Sequence, residues 1–139
     1  RKSFSWYNNE ALVKAQYVSS DQSAYAGNMV ENVPTLNLRT GLTFESNGFG
    51  IGCQYNYVSQ QFTDATNATY FPDATVGIIP EYSVVDLSAS YEWKRIKIES
   101  SINNLTDEIY FTRRATGYPG PGIIPAERRM VFVTLQIKI

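Results

Sequence analysis

Residues 83–93, SVVDLSASYEW, decide the fold class of this chain. From residue 85 onward every second residue is apolar, and the residues between them are polar. This period of two is typical of a β-strand with one apolar and one polar face. The alternation runs for roughly 10–12 residues, about twice the usual strand length of 5–6. The apolar residues are Val85, Leu87, Ala89, Tyr91 and Trp93, and the polar ones are Asp86, Ser88, Ser90 and Glu92.

The same alternation recurs along the chain, whereas no stretch predicts a helix. Clear alternation predicts further strands at 35–45, 48–59 and 129–139, and weaker alternation predicts strands at 96–103 and 11–17. Part of a further strand is predicted at 2–7. Tight turns are predicted at 46–47, 94–95 and 8–9, and the long connections are 20–33, 60–82 and 105–127. All six prolines lie in or beside the long connections, as expected of residues that cannot donate to a ladder. We therefore expect an all-β antiparallel meander with short turns at one end and long loops at the other.

The composition excludes several classes of function. Lys and Arg (12) do not exceed Asp and Glu (13), so the basic face of a nucleic-acid-binding protein is not expected. The absence of histidine removes the Ser-His-Asp triad and most zinc sites, and the single Cys53 cannot form an intrachain disulfide. No apolar run exceeds four residues, so no transmembrane helix is predicted. A transmembrane β-strand, however, needs only about 9–11 residues of alternating character.

Two architectures fit these two-faced strands. In a soluble β-sandwich or lipocalin-like barrel the apolar face forms the core, whereas in an up-and-down membrane barrel it contacts lipid. The long strands favour the membrane barrel, and the absence of charge from the predicted apolar face permits it. Aromatic residues, 14% of the chain, also cluster near strand ends, as in the two interfacial girdles of outer-membrane barrels. They are Phe44, Phe49, Tyr91 and Trp93 beside the turns, and Tyr17, Tyr55 and Tyr57 towards the loops.

Six strands and part of a seventh are too few to close such a barrel. Bacterial outer-membrane barrels have about 8 strands or more, and open sheet edges are not tolerated in hydrocarbon. We therefore expect residues 1–139 to be one end of a larger transmembrane barrel domain.

The last third of the chain resembles a known family. Residues 102–110, INNLTDEIY, resemble the N-L-x-D-x-x-Y segment near the end of TonB-dependent outer-membrane receptors. Residues 111–125, FTRRATGYPGPGIIP, resemble the ferric-dicitrate-receptor branch of that family, and 128–139 resembles its final strand. Residues 33–38, VPTLNL, and 55–64, YNYVSQQFTD, resemble the beginning and end of earlier strands.

This resemblance implies a plugged barrel of about 22 strands in the bacterial outer membrane. The chain would be its C-terminal part, with the last six or seven strands, short turns in the periplasm and long loops outside the cell. The implied partners are the rest of the barrel and the plug, the TonB complex reached through the plug, outer-membrane lipid and, in some cases, a surface lipoprotein. The family usually ends in Phe or Trp, whereas this chain ends in Ile139.

The implied function is uptake of a ferric chelate, such as ferric citrate or a siderophore, by a receptor that is not an enzyme. No cofactor and no resident metal are expected. The candidate ligand-binding residues are Arg113 and Arg114, with Tyr110 and Tyr118 beside them in the last long loop. Each guanidinium can form bidentate bonds with the carboxylates of an anionic chelate. Alternatively, the two arginines pair with the loop acids Asp107, Glu108 and Glu127.

Two other functions remain open at this point. The same architecture could import a glycan or a cobalamin. A barrel without a plug could serve as a diffusion channel, an adhesin or an anchor.

Overall fold

The computed structural model describes residues 2–22, 25–72, 74–117 and 120–139, and these contain no α-helix. Among these residues, no helix is long and apolar enough to cross a membrane. In chain order the strands are β1 (Lys2–Leu12), β2 (Leu36–Ser46), β3 (Phe49–Val58), β4 (Gln61–Phe62), β5 (Ile78–Ile79), β6 (Tyr82–Trp93), β7 (Ile96–Asn103), β8 (Phe111–Ala115), β9 (Gly122–Pro125) and β10 (Met130–Ile137). Six of them form one antiparallel sheet in the order β1-β2-β3-β6-β7-β10, and two small pairs, β4-β5 and β8-β9, lie in the connections.

The predicted all-β antiparallel meander is confirmed, including its unequal ends. Tight turns follow β2 and β6, where Asn47, Gly48 and Lys94 have positive φ. The first of these turns lies one residue later than predicted, because Ser46 still pairs with Phe49. We call this side of the sheet the turn end. The opposite side, the loop end, carries the first loop (13–35), the second loop (59–81) and the third loop (104–129).

The structure of the first strand and the first loop corrects three expectations. A turn at 8–9 was predicted to separate two short strands, but β1 is continuous because Asn8 and Asn9 stay extended and pair with Thr40 and Arg39. The alternation along β1 therefore places Glu10 beside Leu38, so the apolar face is not free of charge. Tyr17, predicted near a strand end, lies instead in the first loop, where its hydroxyl donates to Glu31 Oε2 over 2.6 Å.

Most apolar side chains of the six long strands share one face of the sheet, and no described residue covers that face. Their exposed fractions are 67% for Trp6 and 72% for Val133, and only Ile79 and Val84 are buried hydrophobic residues in the described part of the chain. A soluble sandwich would bury this face against a second layer. Cross-strand pairing aligns the middle row of the face, which consists of Trp6, Leu42, Cys53, Leu87, Ile102 and Val131.

Two polar groups on the apolar face, those of Trp6 and Thr40, are hydrogen-bonded within the sheet. The Trp6 indole Nε1 donates to Thr40 Oγ1 over 3.0 Å, and the Thr40 hydroxyl donates to the Tyr7 carbonyl over 2.8 Å. Both donors are thus satisfied within the sheet, as an environment without water requires.

The polar face carries a hydrogen-bonded row across three strands. The Tyr7 ring lies over Gly41, where an added Cβ would stand 2.6 Å from Tyr7 Cε1. The Tyr7 hydroxyl donates to Gln54 Oε1 over 2.5 Å, and Gln54 Nε2 donates to Asp86 Oδ2 over 3.4 Å. This row continues to the third loop, because Asp86 Oδ1 accepts the Asn104 amide over 2.9 Å.

Candidate functional site

The base of the third loop is closed by the side chain of Asn104, which is only 3% exposed. Its Nδ2 donates to the carbonyls of Glu108 (2.9 Å) and Glu127 (3.3 Å), while its Oδ1 accepts the Glu108 amide (2.8 Å). One amide group therefore holds both ends of the loop together. Asn104 has a φ of 52°, a left-handed conformation that Asn adopts more readily than most residues.

Asp107 connects the same loop to the start of β10. Its carboxylate accepts from Arg128 Nε (2.9 Å) and Nη2 (2.5 Å), and also from the Arg129 backbone amide (3.0 Å). The Asn and Asp of the N-L-x-D segment thus have structural roles in this chain. Asp107 pairs with Arg128, and not with either of the arginines on β8.

The Asp107 ion pair predicts a pH dependence of stability. The Arg128 guanidinium and the Arg129 amide hold the pKa of Asp107 well below its usual range. The stabilisation is therefore complete above the unfolded pKa of about 3.9 and is lost as the pH falls through the lower folded pKa. We expect the stability difference between wild type and Asp107→Asn to be largest near neutral pH and to vanish in strong acid. Denaturant unfolding at a series of pH values measures it, with Asp21→Asn, at an exposed acid of the first loop, as the control. A difference that does not vary with pH would contradict this role.

The structure places the predicted ligand-binding residues in different environments. Tyr110 stacks on Tyr82, with ring centroids 4.4 Å apart. Arg113 is exposed and has no carboxylate partner among the described residues. Arg114 is partly buried, and its guanidinium donates to two backbone carbonyls of the second loop and lies 5.2 Å from the Phe111 ring centroid. Tyr118 lies outside the described residues.

Arg113 and Arg114 border one open depression of about 370 Å³ at the tip of the β8-β9 pair. Residues 115–117 and Ile124 complete its lining. Within this depression, Arg113 is the guanidinium that is available to an anion.

A second depression, of about 410 Å³, lies on the polar face below the third loop. Arg39 and the stacked pair Tyr82–Tyr110 are among the residues that line it. Burial, with the charges of Asp86 and Glu127, raises the pKa of Tyr110, so its hydroxyl stays protonated to a higher pH than usual. The alternation in β2 places Arg39 on the polar face near the loop end, but only the cross-strand register brings it to the tyrosines.

The described residues contain no group of three or more side chains suited to hold a metal ion. The groups that line the two depressions at the loop end include guanidinium, phenol and amide donors together with the carboxylates of Asp86 and Glu127.

Comparison with known proteins points to one family. A family model described as TonB dependent receptor-like, beta-barrel matches residues 2–105, which is most of the chain. Comparison with curated proteins gave no match.

Several solved structures resemble the chain. The unliganded ferric citrate transporter FecA superimposes with a TM-score of 0.85 at 20% identity, over 96% of this chain and 21% of that one. The ferric yersiniabactin uptake receptor FyuA from Yersinia pestis gives 0.77 at 19% identity, over 96% and 21%. The siderophore receptor PiuA from Acinetobacter baumannii gives 0.69 at 27% identity, over 85% and 16%. At such identities the FecA and FyuA matches show the fold alone. The chain spans about a fifth of the length of these proteins.

Proposed function

The chain belongs to the family of TonB-dependent receptor-like β-barrels, and from this membership we propose that it is part of an outer-membrane receptor that imports an anionic ferric chelate. Members of this family are transport receptors of the bacterial outer membrane, and they are not enzymes. The proposal for this chain rests first on its uncovered apolar face and then on the donors at its loop end.

The uncovered apolar face is the observation that carries the proposal. Large apolar side chains stand exposed on all six long strands, an arrangement that soluble monomers rarely tolerate. In a bilayer the same face contacts hydrocarbon, and four of its aromatic residues lie towards the two ends of the strands, where the interfaces would be. Tyr91 and Trp93 lie near the turn end, and Tyr55 and Tyr57 lie nearer the loop end.

The two outer strands of the sheet support a larger assembly. β1 and β10 each pair with a neighbour on one side only, so each leaves a row of main-chain groups unpaired. Hydrocarbon does not tolerate such edges, so further strands must continue the sheet in a membrane. We assign the chain to the C-terminal part of one barrel domain, with the remaining strands, the plug and its TonB contact elsewhere in the receptor. The turn end would face the periplasm, and the loops would face the outside.

The proposed cargo follows from charge and from similar proteins. FecA is a ferric citrate transporter, PiuA is a siderophore receptor, and FyuA is a ferric yersiniabactin uptake receptor. In this chain Arg113 offers an exposed fork of donors that fits a carboxylate. Ferric citrate, which is anionic and rich in carboxylates, is therefore the first cargo to test.

Transport of radiolabelled ferric citrate tests this proposal. We expect uptake to be lost in a strain that lacks the receptor and restored by the wild-type gene. Arg113→Gln should weaken ferric citrate binding about ten-fold at low salt, because one charge-assisted contact is lost, and the loss should shrink at high salt.

The matched control is Lys94→Gln, which removes the same charge at the turn end and should leave binding unchanged. Undiminished uptake in the deletion strain would rule out ferric citrate as the cargo. Wild-type affinity in Arg113→Gln would remove Arg113 from the binding surface.

A further inference from the structure

The second loop is hydrogen-bonded to the loops on both sides of it. Towards the first loop, the Asn67 side chain brackets the backbone of Met29. Its Oδ1 accepts the Met29 amide over 2.7 Å, and its Nδ2 donates to the Met29 carbonyl over 2.8 Å. The Asn67 side chain thus satisfies both backbone hydrogen-bonding groups of Met29, as the backbone of a paired strand would.

Two further hydrogen bonds support this contact between the first and second loops. Asn28 Nδ2 donates to the Ala65 carbonyl over 2.9 Å, and the Asn32 amide donates to the Phe62 carbonyl over 2.8 Å. Asn67 itself has a φ of 54°, so both its backbone conformation and its side-chain contacts favour asparagine.

Towards the third loop, the contact is made by Arg114. Its Nη1 donates to the Ala74 carbonyl and its Nη2 to the Ile78 carbonyl, both over 2.8 Å. The segment between these carbonyls bends around the guanidinium, and Gly77 lets it approach. A Cβ at Gly77 would stand 3.3 Å from Nη2, and the φ of 141° there already disfavours other residues.

The second loop is also braced internally. The Thr63 hydroxyl donates to the Gly77 carbonyl and accepts the Gly77 amide, both over 2.9 Å. Ile79, at 1% exposure, is the most buried hydrophobic residue among those described. The second loop can therefore pass a constraint from one neighbouring loop to the other.

We propose that Asn67 and Arg114 are positioning residues that hold the three loops as one layer. Arg114 then serves the binding surface by fixing the second loop against β8, and Arg113 remains as the exposed cation that meets the cargo. This assignment divides two adjacent arginines between two roles. Only the role of Arg113 rests on the proposed function, since the loop contacts of Asn67 and Arg114 exist without any cargo.

Hydrogen exchange of the full-length receptor, read by mass spectrometry, tests the layer. Arg114→Gln should speed exchange about ten-fold in peptides covering 74–79, because both carbonyl contacts are lost. Arg114→Lys should restore only part of the protection, because an ammonium group lacks the planar fork that spans two carbonyls. Asn67→Gly, which tolerates the positive φ, should speed exchange at Met29, whereas Asn67→Asp keeps the acceptor and should protect the Met29 amide.

If the three loops form one layer, a substitution in one loop should also speed hydrogen exchange in a loop that the altered residue does not contact. In Arg114→Gln we expect faster exchange in the first loop around Val30, with unchanged exchange in the middle of β2 as evidence that the sheet is folded. Unchanged exchange in both loops would overturn the proposal.

Salt dependence of ferric citrate binding separates the two arginines. We expect Arg113→Gln to flatten the dependence of affinity on salt, and Arg114→Gln to lower affinity with the salt dependence intact. Equal flattening by both variants would make Arg114 a ligand and overturn its positioning role. If the wild-type receptor binds no ferric citrate, the proposed cargo fails, while the exchange measurements still decide the loop layer.

Discussion

Replacing Leu87 with arginine should destabilise the folded receptor by about 2–4 kcal/mol, the largest effect expected of a single change on the strands. Leu87 lies in the middle row of the apolar face, between Cys53 and Ile102. If this row contacts the centre of a bilayer, a guanidinium there must be held in hydrocarbon or drag water and headgroups towards it. Denaturant unfolding in lipid vesicles measures the change in the free energy of unfolding.

The neighbouring residue provides the matched control. Ser88 is exposed on the opposite, polar face, so Ser88→Arg adds the same side chain one residue away on the side that does not contact lipid. We expect this change to alter stability by less than about 1 kcal/mol. Comparable losses for Leu87→Arg and Ser88→Arg would show that the two faces do not differ in environment, and the membrane assignment would fail.

Asn104→Ala should destabilise the receptor by about 3–5 kcal/mol and loosen the third loop. The change leaves two carbonyls and one amide at the base of the loop without their partner, in a place where Asn104 is 3% exposed. It also places alanine at a φ of 52°, which costs about 1–2 kcal/mol for a residue with a Cβ. The same unfolding experiment measures the loss.

Two variants separate these causes. Asn104→Gly removes the hydrogen bonds but not the conformational fit, so it should be less damaging than alanine by about 1 kcal/mol. Asn104→Asp keeps the acceptor for the Glu108 amide but turns a carboxylate oxygen towards the Glu108 and Glu127 carbonyls, so it should be more damaging than glycine. An alanine variant within about 1 kcal/mol of wild type would mean that the loop base does not depend on Asn104.

The strands themselves were largely predictable, because side chains alternate across a strand whatever the rest of the chain does. The alternation in 83–93 therefore placed Leu87 and Trp93 on one face and Asp86 on the other, as the structure shows. At 8–9 this argument failed, since two asparagines suit a turn as well as a strand. They form a strand because they pair with Thr40 and Arg39, which lie about thirty positions away in the chain.

The loop contacts were less predictable, because sequence neighbours do not determine them. The two arginines of β8 are chemically identical and adjacent, so composition and spacing assign them the same role. What separates them is the position of two carbonyls, at Ala74 and Ile78, which the fold brings to Arg114. The pairing of Asp107 with Arg128 is a similar case, since several acids and cations of the third loop were equally plausible partners.

The sequence by itself determined that this chain forms long two-faced strands with short turns at one end and long loops at the other. These properties follow from local rules of backbone geometry, which act over a few residues. Only the tertiary structure decided that the apolar face has no covering layer in the described part of the chain, that Glu10 lies on that face, and that Arg114 holds the second loop while Arg113 stays exposed. Each of these depends on cross-strand register or on contacts between distant loops, and neither is set by the residues adjacent in the chain.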